Sequence, residues 1–147
     1  MELQRTSPVL HTRNYSYIIK KNTMKKEINA AGAPGAIGPY SQAIEAGGFI
    51  YVSGQLPINA ADGSMPEDIK AQTTQSLENV KAILAEAGAS MDNVVKTTVF
   101  LADMSLFGPM NEVYATYFSK PFPARCAFAV KELPKHALVE IEVIAKL

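Results

Sequence analysis

The chain has 147 residues, of which 48% are hydrophobic, so its length suits one domain built around a single core. Basic and acidic side chains both number 14, and this balance argues against nucleic acid or an anionic membrane as the main partner. One cysteine leaves no intramolecular disulfide framework and is typical of a reducing compartment, so we expect a cytoplasmic protein.

The sequence is poor in metal ligands. Its two histidines are His11, near the N-terminus, and His136, which follows Pro134 in a predicted turn. With a single cysteine beside them, a zinc site is not expected, and a Ser-His-Asp triad would depend on His136 alone. We therefore predict no metal and an exposed turn residue at position 136.

Residues 1–23 carry four basic side chains against one acidic side chain, a net charge of +3. They contain no apolar run long enough for a secretory signal or a membrane span, and Pro8, Asn14 and Asn22 interrupt any amphipathic helix. A targeting peptide and an upstream start site are alternatives, but a disordered extension is the expectation. The predicted domain covers residues 24–147.

A loop of small residues opens this domain. Residues 33–40, APGAIGPY, are too rich in glycine and proline for regular structure and too apolar for a linker, which favours a packed functional loop. They match no phosphate-binding glycine pattern. Strands are predicted at 41–46 and 49–55, and the Gly47-Gly48 pair between them predicts a hairpin.

The middle of the chain alternates helices and strands. Ser64 and Glu67 have the spacing of a capping box and predict the start of a helix that ends at Gly88. A strand at 94–101 is apolar on both faces and is therefore predicted to be central.

The second predicted helix runs from about residue 106 to 118, with Asn111 beside its packing face. Together with a short strand at 25–28, the element order becomes β-β-β-α-β-α-β-β, an α+β fold with a mixed sheet. Two helices suffice to cover one face of such a sheet. We therefore expect a homo-oligomer in which another copy of the chain covers the second face.

One arginine lies near the start of the next strand, within residues 121–130. Two prolines restrict the backbone just ahead of it, and alternation puts Arg125, Ala127 and Ala129 on one face. A guanidinium beside small side chains has room for a carboxylate or phosphate bound through two parallel hydrogen bonds. The alternative is a surface arginine in an ordinary ion pair.

The same alternation places Cys126 on the opposite face beside Phe128, so we predict a buried cysteine that is not a nucleophile. The last strand, at 137–144, has Glu140 and Glu142 on one face. Because this strand could pair with the strand of Arg125, a carboxylate is expected near the guanidinium.

Six short motifs occur in order between residues 38 and 142. They are GPYSQA at 38–43, VSGQLP at 52–57, KTTV at 96–99, NEVY at 111–114, PAR at 123–125 and VEIE at 139–142. On these motifs the chain resembles the YjgF/RidA family of reactive-intermediate deaminases, and the similarity spans essentially all of 24–147.

The resemblance implies a chorismate-mutase-like fold, a homotrimer with clefts between subunits, and no metal or organic cofactor. It implies small 2-imino and 2-keto acids as ligands. The implied reaction is hydrolysis of the enamine and imine acids 2-aminoacrylate, 2-iminopropanoate and 2-iminobutanoate to 2-keto acids and ammonia.

The resemblance also implies roles for individual residues. Arg125 would bind the substrate carboxylate, and Glu140 would position or activate water. Tyr40 and Asn111 would line the cleft. Ser53 and Gly54 would supply wall and backbone contacts, and the backbone carbonyl of Ala127 could bind water.

Two departures from the family pattern bear on substrate range. The position after the arginine is often a small hydroxyl residue and the next a thiol, whereas here they are Cys126 and Ala127. The connection at 119–122 is also shorter than in some relatives. Two rival functions stay open: a non-catalytic module that binds small carboxylates, and an endoribonuclease or chaperone-like protein. The ribonuclease alternative lacks a basic surface and a histidine pair.

Overall fold

The computed structural model describes residues 24–147, so the predicted disorder of residues 1–23 lies outside the described residues. The strands are β1 (Lys26–Ile28), β2 (Ala43–Ala46), β3 (Phe49–Gln55), β4 (Val94–Leu101), β5 (Ala124–Ala129) and β6 (Val139–Lys146), and the helices are α1 (Ile69–Glu86) and α2 (Phe107–Tyr114). Short 3₁₀ turns lie at Met91–Asn93, Met104–Leu106 and Pro134–His136. The predicted element order is confirmed.

All six strands form one sheet in the order β1-β2-β3-β6-β4-β5. Only β4 and β5 run parallel, and every other neighbouring pair is antiparallel. The β2–β3 hairpin turns through Gly47 and Gly48, whose φ angles of 60° and 79° are those that a tight hairpin turn requires. The predicted α+β class with a mixed sheet is confirmed.

Both helices pack on the same face of this sheet. Helix α1 lies across β3 and β6, and α2 packs against α1 and reaches β4 through the side chain of Tyr114. The apolar side chains that meet in this layer include Leu77, Val80, Ile83 and Leu84 from α1, Ile50 and Val52 from β3, and Val139, Ile141 and Val143 from β6. Each fully buried aliphatic side chain of this kind contributes about 1.5–3 kcal/mol. Among residues 24–147, neither helix is long and apolar enough to cross a membrane.

The helix boundaries differ in part from the sequence prediction. Helix α1 begins after Asp68, whose carboxylate accepts a hydrogen bond from the Ala71 amide at 2.9 Å, so the predicted capping box at Ser64 and Glu67 is wrong. Its predicted end is confirmed, since Gly88 follows the helix with a φ of 77°. Helix α2 ends at Tyr114 and is shorter than predicted.

The opposite face of the sheet, here called the open face, has no helix over it in the described chain. Tyr51 and Phe128 on this face are 47% and 45% exposed, and the Phe100 and Phe128 rings meet edge to face at 5.5 Å. Partly exposed aromatic side chains on one continuous face are typical of an interface. Its occupation by another copy of the chain stays a prediction.

Candidate functional site

Arg125 lies on β5, at the edge of the sheet, where it is paired with Thr97 of the parallel strand β4. Thr97 is fully buried beneath the helices, so the guanidinium rises on the helix side of the sheet. The side chain is exposed, and its Nη1 donates a hydrogen bond of 2.7 Å to Oδ1 of Asn111 on α2. Arg125 and Asn111 therefore lie side by side on one surface of the protein.

Two aromatic rings flank the same guanidinium. Its Cζ atom lies 4.7 Å from the ring centroid of Tyr114 and 5.4 Å from that of Phe107. Phe107, Asn111 and Tyr114 are spaced i, i+4 and i+7 and therefore share one face of α2. These three residues and Arg125 are called the arginine group below.

Glu140 lies on β6 opposite Phe100 of β4, and its side chain is half-buried. Between Val52 and Gln55 the register of β3 with β6 shifts, and this irregularity places Gly54 directly beneath the Glu140 carboxylate. A Cβ on residue 54 would lie 2.9 Å from Cδ of Glu140 and closer still to Oε1. Any larger residue at position 54 would therefore have to displace the Glu140 side chain.

The environment of Glu140 disfavours its charged form. Burial raises the pKa of the Glu140 carboxyl above its usual value, and the nearby charge of Glu142 raises it further. A carboxylate held in this way is a better proton acceptor at neutral pH than an exposed one.

Tyr40 and Gly54 line a cavity of about 250 Å³ between the loop at 33–40 and the end of β3. Buried Gln42 holds this loop, because its side-chain amide donates to the carbonyls of Ala33 at 3.2 Å and Pro34 at 2.8 Å. The Tyr40 ring is half exposed, with its hydroxyl 3.4 Å from the amide of Ile37. Only Ala33 and Pro34 of this loop are buried or half-buried, whereas residues 35–40 are exposed, so the predicted packing is wrong for most of the loop.

Ser53 and Ala127 are the two remaining residues of the predicted site. The Ser53 hydroxyl donates a 2.6 Å hydrogen bond to the carbonyl of Ser41, so it ties β3 to the segment just before β2. Ala127 is half-buried and paired with Val99 on the helix side, one alternation along β5 from Arg125. Tyr40, Ser53, Gly54 and Glu140 are called the glutamate group below.

The two groups do not meet within one chain. Strand β6 pairs with β3 and β4, and β4 separates it from β5, so the expected pairing of the last strand with the arginine strand is wrong. Glu140 is in register with Phe100, which belongs to the open face, whereas Arg125 is in register with buried Thr97. Three strand spacings, about 14 Å, separate β3 from β5.

Cys126 occupies the open face, as the alternation predicts, but its predicted burial is wrong. The thiol is exposed, and the Lys96 ammonium donates to its Sγ at 3.2 Å. The physical reason is that β5 is an edge strand and the helices cover only the other face of the sheet. Apolar neighbours in the sequence therefore did not imply a core position.

His136 lies in the exposed 3₁₀ turn before β6, as predicted. Within residues 24–147, no three histidine, cysteine, aspartate or glutamate side chains are placed to hold a metal ion. Phe107 and Tyr114, whose rings lie beside the Arg125 guanidinium, were not among the predicted site residues. Their helical spacing from Asn111 was the signal that would have found them.

Comparison with known proteins gives the family. The model of the family described as Endoribonuclease L-PSP matches residues 30–147. The 2-iminobutanoate/2-iminopropanoate deaminase of Escherichia coli K12 is 46% identical over 125 residues, which cover 83% of this chain and 98% of that protein. The chain belongs to the YjgF/RidA family.

Solved structures agree with this assignment. RidA from the Antarctic bacterium Psychrobacter sp. superposes with a TM-score of 0.80 at 44% identity and covers 83% of this chain and 99% of its own. Escherichia coli TdcF, solved with bound serine, has a TM-score of 0.80 at 42% identity and covers 83% of this chain and 98% of its own. The fold predicted from the resemblance is confirmed.

Replacement of Glu140 by glutamine should stabilise the fold at neutral pH. Because burial raises the folded pKa of this carboxyl, the folded state binds the proton more tightly than the unfolded state, and wild-type stability falls as pH rises through the folded pKa. Glu140→Gln avoids this loss. Denaturant melts should give a higher midpoint for the variant at pH 7, with the gap closing below the ordinary pKa of about 4.3.

Glu142→Gln is a partial control, because this exposed carboxylate lies two residues away on the same strand and contributes only the smaller part of the shift in the Glu140 pKa. Its effect at pH 7 should be smaller. A Glu140→Gln variant that is less stable than wild type by the same amount at both pH values would contradict the assigned environment.

The contact between Gly54 and Glu140 predicts a strong coupling between the two positions. Gly54→Ala should cost about 0.5–1.5 kcal/mol in unfolding free energy, because the added methyl group forces the Glu140 side chain out of its rotamer. In a Glu140→Ala background most of that cost should vanish, and the double-mutant cycle measures the difference.

Gly35→Ala is the control for this cycle, since Gly35 lines the same cavity but an added Cβ there meets open space. It should leave the unfolding midpoint almost unchanged. An equal cost of Gly54→Ala in both backgrounds would show that the backbone, and not the Glu140 side chain, requires glycine.

Proposed function

We propose that this protein is a hydrolytic deaminase that converts 2-aminoacrylate, 2-iminopropanoate and 2-iminobutanoate to 2-keto acids and ammonia. The observation that carries the proposal is the state of Arg125. Among the described residues no carboxylate forms an ion pair with it, and its one side-chain hydrogen bond goes to the neutral amide of Asn111. The alternative of an ordinary surface ion pair is therefore not supported. The remaining N–H groups are available for a substrate carboxylate.

The reaction needs few groups from the protein, because a protonated imine is already electrophilic. With the carboxylate on Arg125, the adjacent C2 is fixed and water adds to it while Glu140 accepts a proton. Glu140 returns this proton to the nitrogen of the resulting tetrahedral carbinolamine, the C–N bond breaks, and ammonia leaves while the hydroxyl gives its proton to Glu140 and becomes the carbonyl. The raised pKa of Glu140 suits these proton transfers.

A complete site requires two copies of the chain. Arg125 and Glu140 belong to opposite faces of one sheet, and the open face carries exposed aromatic side chains. We propose a homotrimer with cyclic symmetry in which the arginine group of one protomer meets the glutamate group of the next. A cyclic arrangement repeats this heterologous contact and so gives three equivalent clefts.

The named relatives support this choice of ligand. The Escherichia coli relative is named for imines of short 2-keto acids, and TdcF was solved with serine, a small amino acid. The family description mentions an endoribonuclease, but the chain is neutral overall, and His136, its single histidine within 24–147, lies in an exposed turn. That arrangement offers no histidine pair for acid and base work on RNA.

The roles of the two charged residues predict different kinetic defects. Arg125→Lys should fail almost as badly as Arg125→Ala, because an ammonium cannot reproduce two parallel hydrogen bonds, and affinity for 2-ketobutyrate should drop about 100-fold or more. Glu140→Gln should lower kcat by about 10²–10⁴-fold while 2-ketobutyrate still binds. Calorimetric titration and keto acid release from freshly generated 2-iminobutanoate measure the two effects.

Each contrary result has a distinct meaning. If Arg125→Ala binds 2-ketobutyrate like wild type, the substrate site lies elsewhere. If the wild-type protein binds 2-ketobutyrate but releases no keto acid from the imine, the protein is a binding module and not an enzyme.

The composite site predicts complementation between two inactive variants. When Arg125→Ala and Glu140→Gln chains are unfolded, mixed in equal amounts and refolded together, about one quarter of the clefts should receive both intact residues. Keto acid release should therefore recover to about one quarter of the wild-type rate, far above either variant refolded alone.

A second mixture sharpens this test. Wild-type chains refolded with an equal amount of the Arg125→Ala/Glu140→Gln double variant should retain about one quarter of full activity if each site spans two protomers. Sites contained in one chain would instead retain about one half and would give no complementation in the first mixture.

A further inference from the structure

We propose that Phe107 and Tyr114 are positioning residues for Arg125: their rings hold the guanidinium at its faces and leave its in-plane N–H donors free for the substrate carboxylate. This inference rests on the proposed function for the role of the substrate carboxylate. The contacts between the two rings and the guanidinium can be tested without any measurement of turnover.

The Tyr114 ring is itself rigid. Its hydroxyl shares a buried 2.8 Å hydrogen bond with the Thr97 hydroxyl, and its ring packs against Phe118 with centroids 4.6 Å apart. The whole side chain is only 6% exposed. A ring anchored at both its edge and its face gives the guanidinium, 4.7 Å away, a fixed surface to lie on.

Phe107 supplies a second aromatic contact. It lies almost two helical turns before Tyr114. Its ring centroid lies 5.4 Å from Cζ of Arg125, inside the range of cation–π attraction. Asn111 lies between the two aromatic positions on the same face of α2 and accepts from Nη1 at the guanidinium edge. Helix α2 therefore contacts the guanidinium through two rings and one amide.

Aromatic contacts and an ion pair would order the Arg125 guanidinium with different consequences for carboxylate binding. An exposed arginine loses side-chain entropy when it is ordered, and an ion pair that ordered it would occupy the same donors that a substrate needs. The face of an aromatic ring attracts the cation electrostatically, and this attraction uses no N–H hydrogen bond. Two rings and one amide thus preorganise the guanidinium without saturating it.

The aromatic pair should control both the motion of Arg125 and the affinity for substrate. Phe107→Leu removes one ring from a half-buried site, and we expect faster rotation of the Arg125 guanidinium about its Nε–Cζ bond in ¹⁵N NMR spectra of the free protein. KM for the imine and Kd for 2-ketobutyrate should rise about threefold to tenfold, with a smaller change in kcat.

Three further variants separate positioning from folding. Tyr114→Leu should show the larger effect if it folds, whereas Tyr114→Phe keeps the ring and should keep slow guanidinium rotation although the Thr97 hydroxyl loses its partner. Phe49→Leu is the matched control, because it removes a ring that lies 5.3 Å from the Lys146 ammonium at the far end of the sheet. It should leave the Arg125 signal and KM unchanged.

The outcomes distinguish this inference from the proposed function. Guanidinium rotation in folded Phe107→Leu that matches wild type would overturn the positioning role, whatever the activity. Faster rotation together with an unchanged Kd for 2-ketobutyrate would also overturn it, because the order of the guanidinium would then not matter to binding. A wild-type protein without imine hydrolysis would instead defeat the proposed function and leave the NMR comparison intact.

Discussion

The position of β6 in the middle of the sheet fixes the rest of the structure. One side of this strand carries Val139, Ile141 and Val143, which are almost completely buried beneath α1, so its register cannot slip by one residue without exposing them. The same constraint forces Glu140 and Glu142 onto the opposite side. Packing on the helix side therefore decides where the candidate base lies, and the irregularity of β3 at Gly54 makes space for it.

The fold keeps Arg125 and Glu140 apart within one chain. If Arg125 and Glu140 met within one chain, their attraction would lower the pKa of the carboxyl and use up the guanidinium donors. Instead the pKa of Glu140 is raised by burial and by Glu142, and Arg125 is held by neutral groups. Within one chain, each residue therefore keeps the state that its proposed role requires, a carboxyl with a raised pKa and a guanidinium with free donors.

Local patterns predicted the elements and the faces of the strands, but not what covers each face. Alternation placed Arg125 and Cys126 on opposite sides of β5 correctly, because strand geometry is a property of neighbouring residues. The burial of Cys126 was predicted wrongly, since the cover of a strand depends on helices that are distant in sequence. Asp68 replaced the predicted cap for a related reason: several capping residues occur within one turn, and the loop before the helix selects among them.

The contacts of Arg125 explain why one arginine can be both ordered and unsatisfied. An ion pair would also order it, but the partner carboxylate would occupy the N–H groups that face solvent. Aromatic rings and a neutral amide contact the same group and leave most of its N–H donors without a partner. The short helix α2 provides all three contacts from one face, so the spacing of Phe107, Asn111 and Tyr114 sets the position of the Arg125 guanidinium.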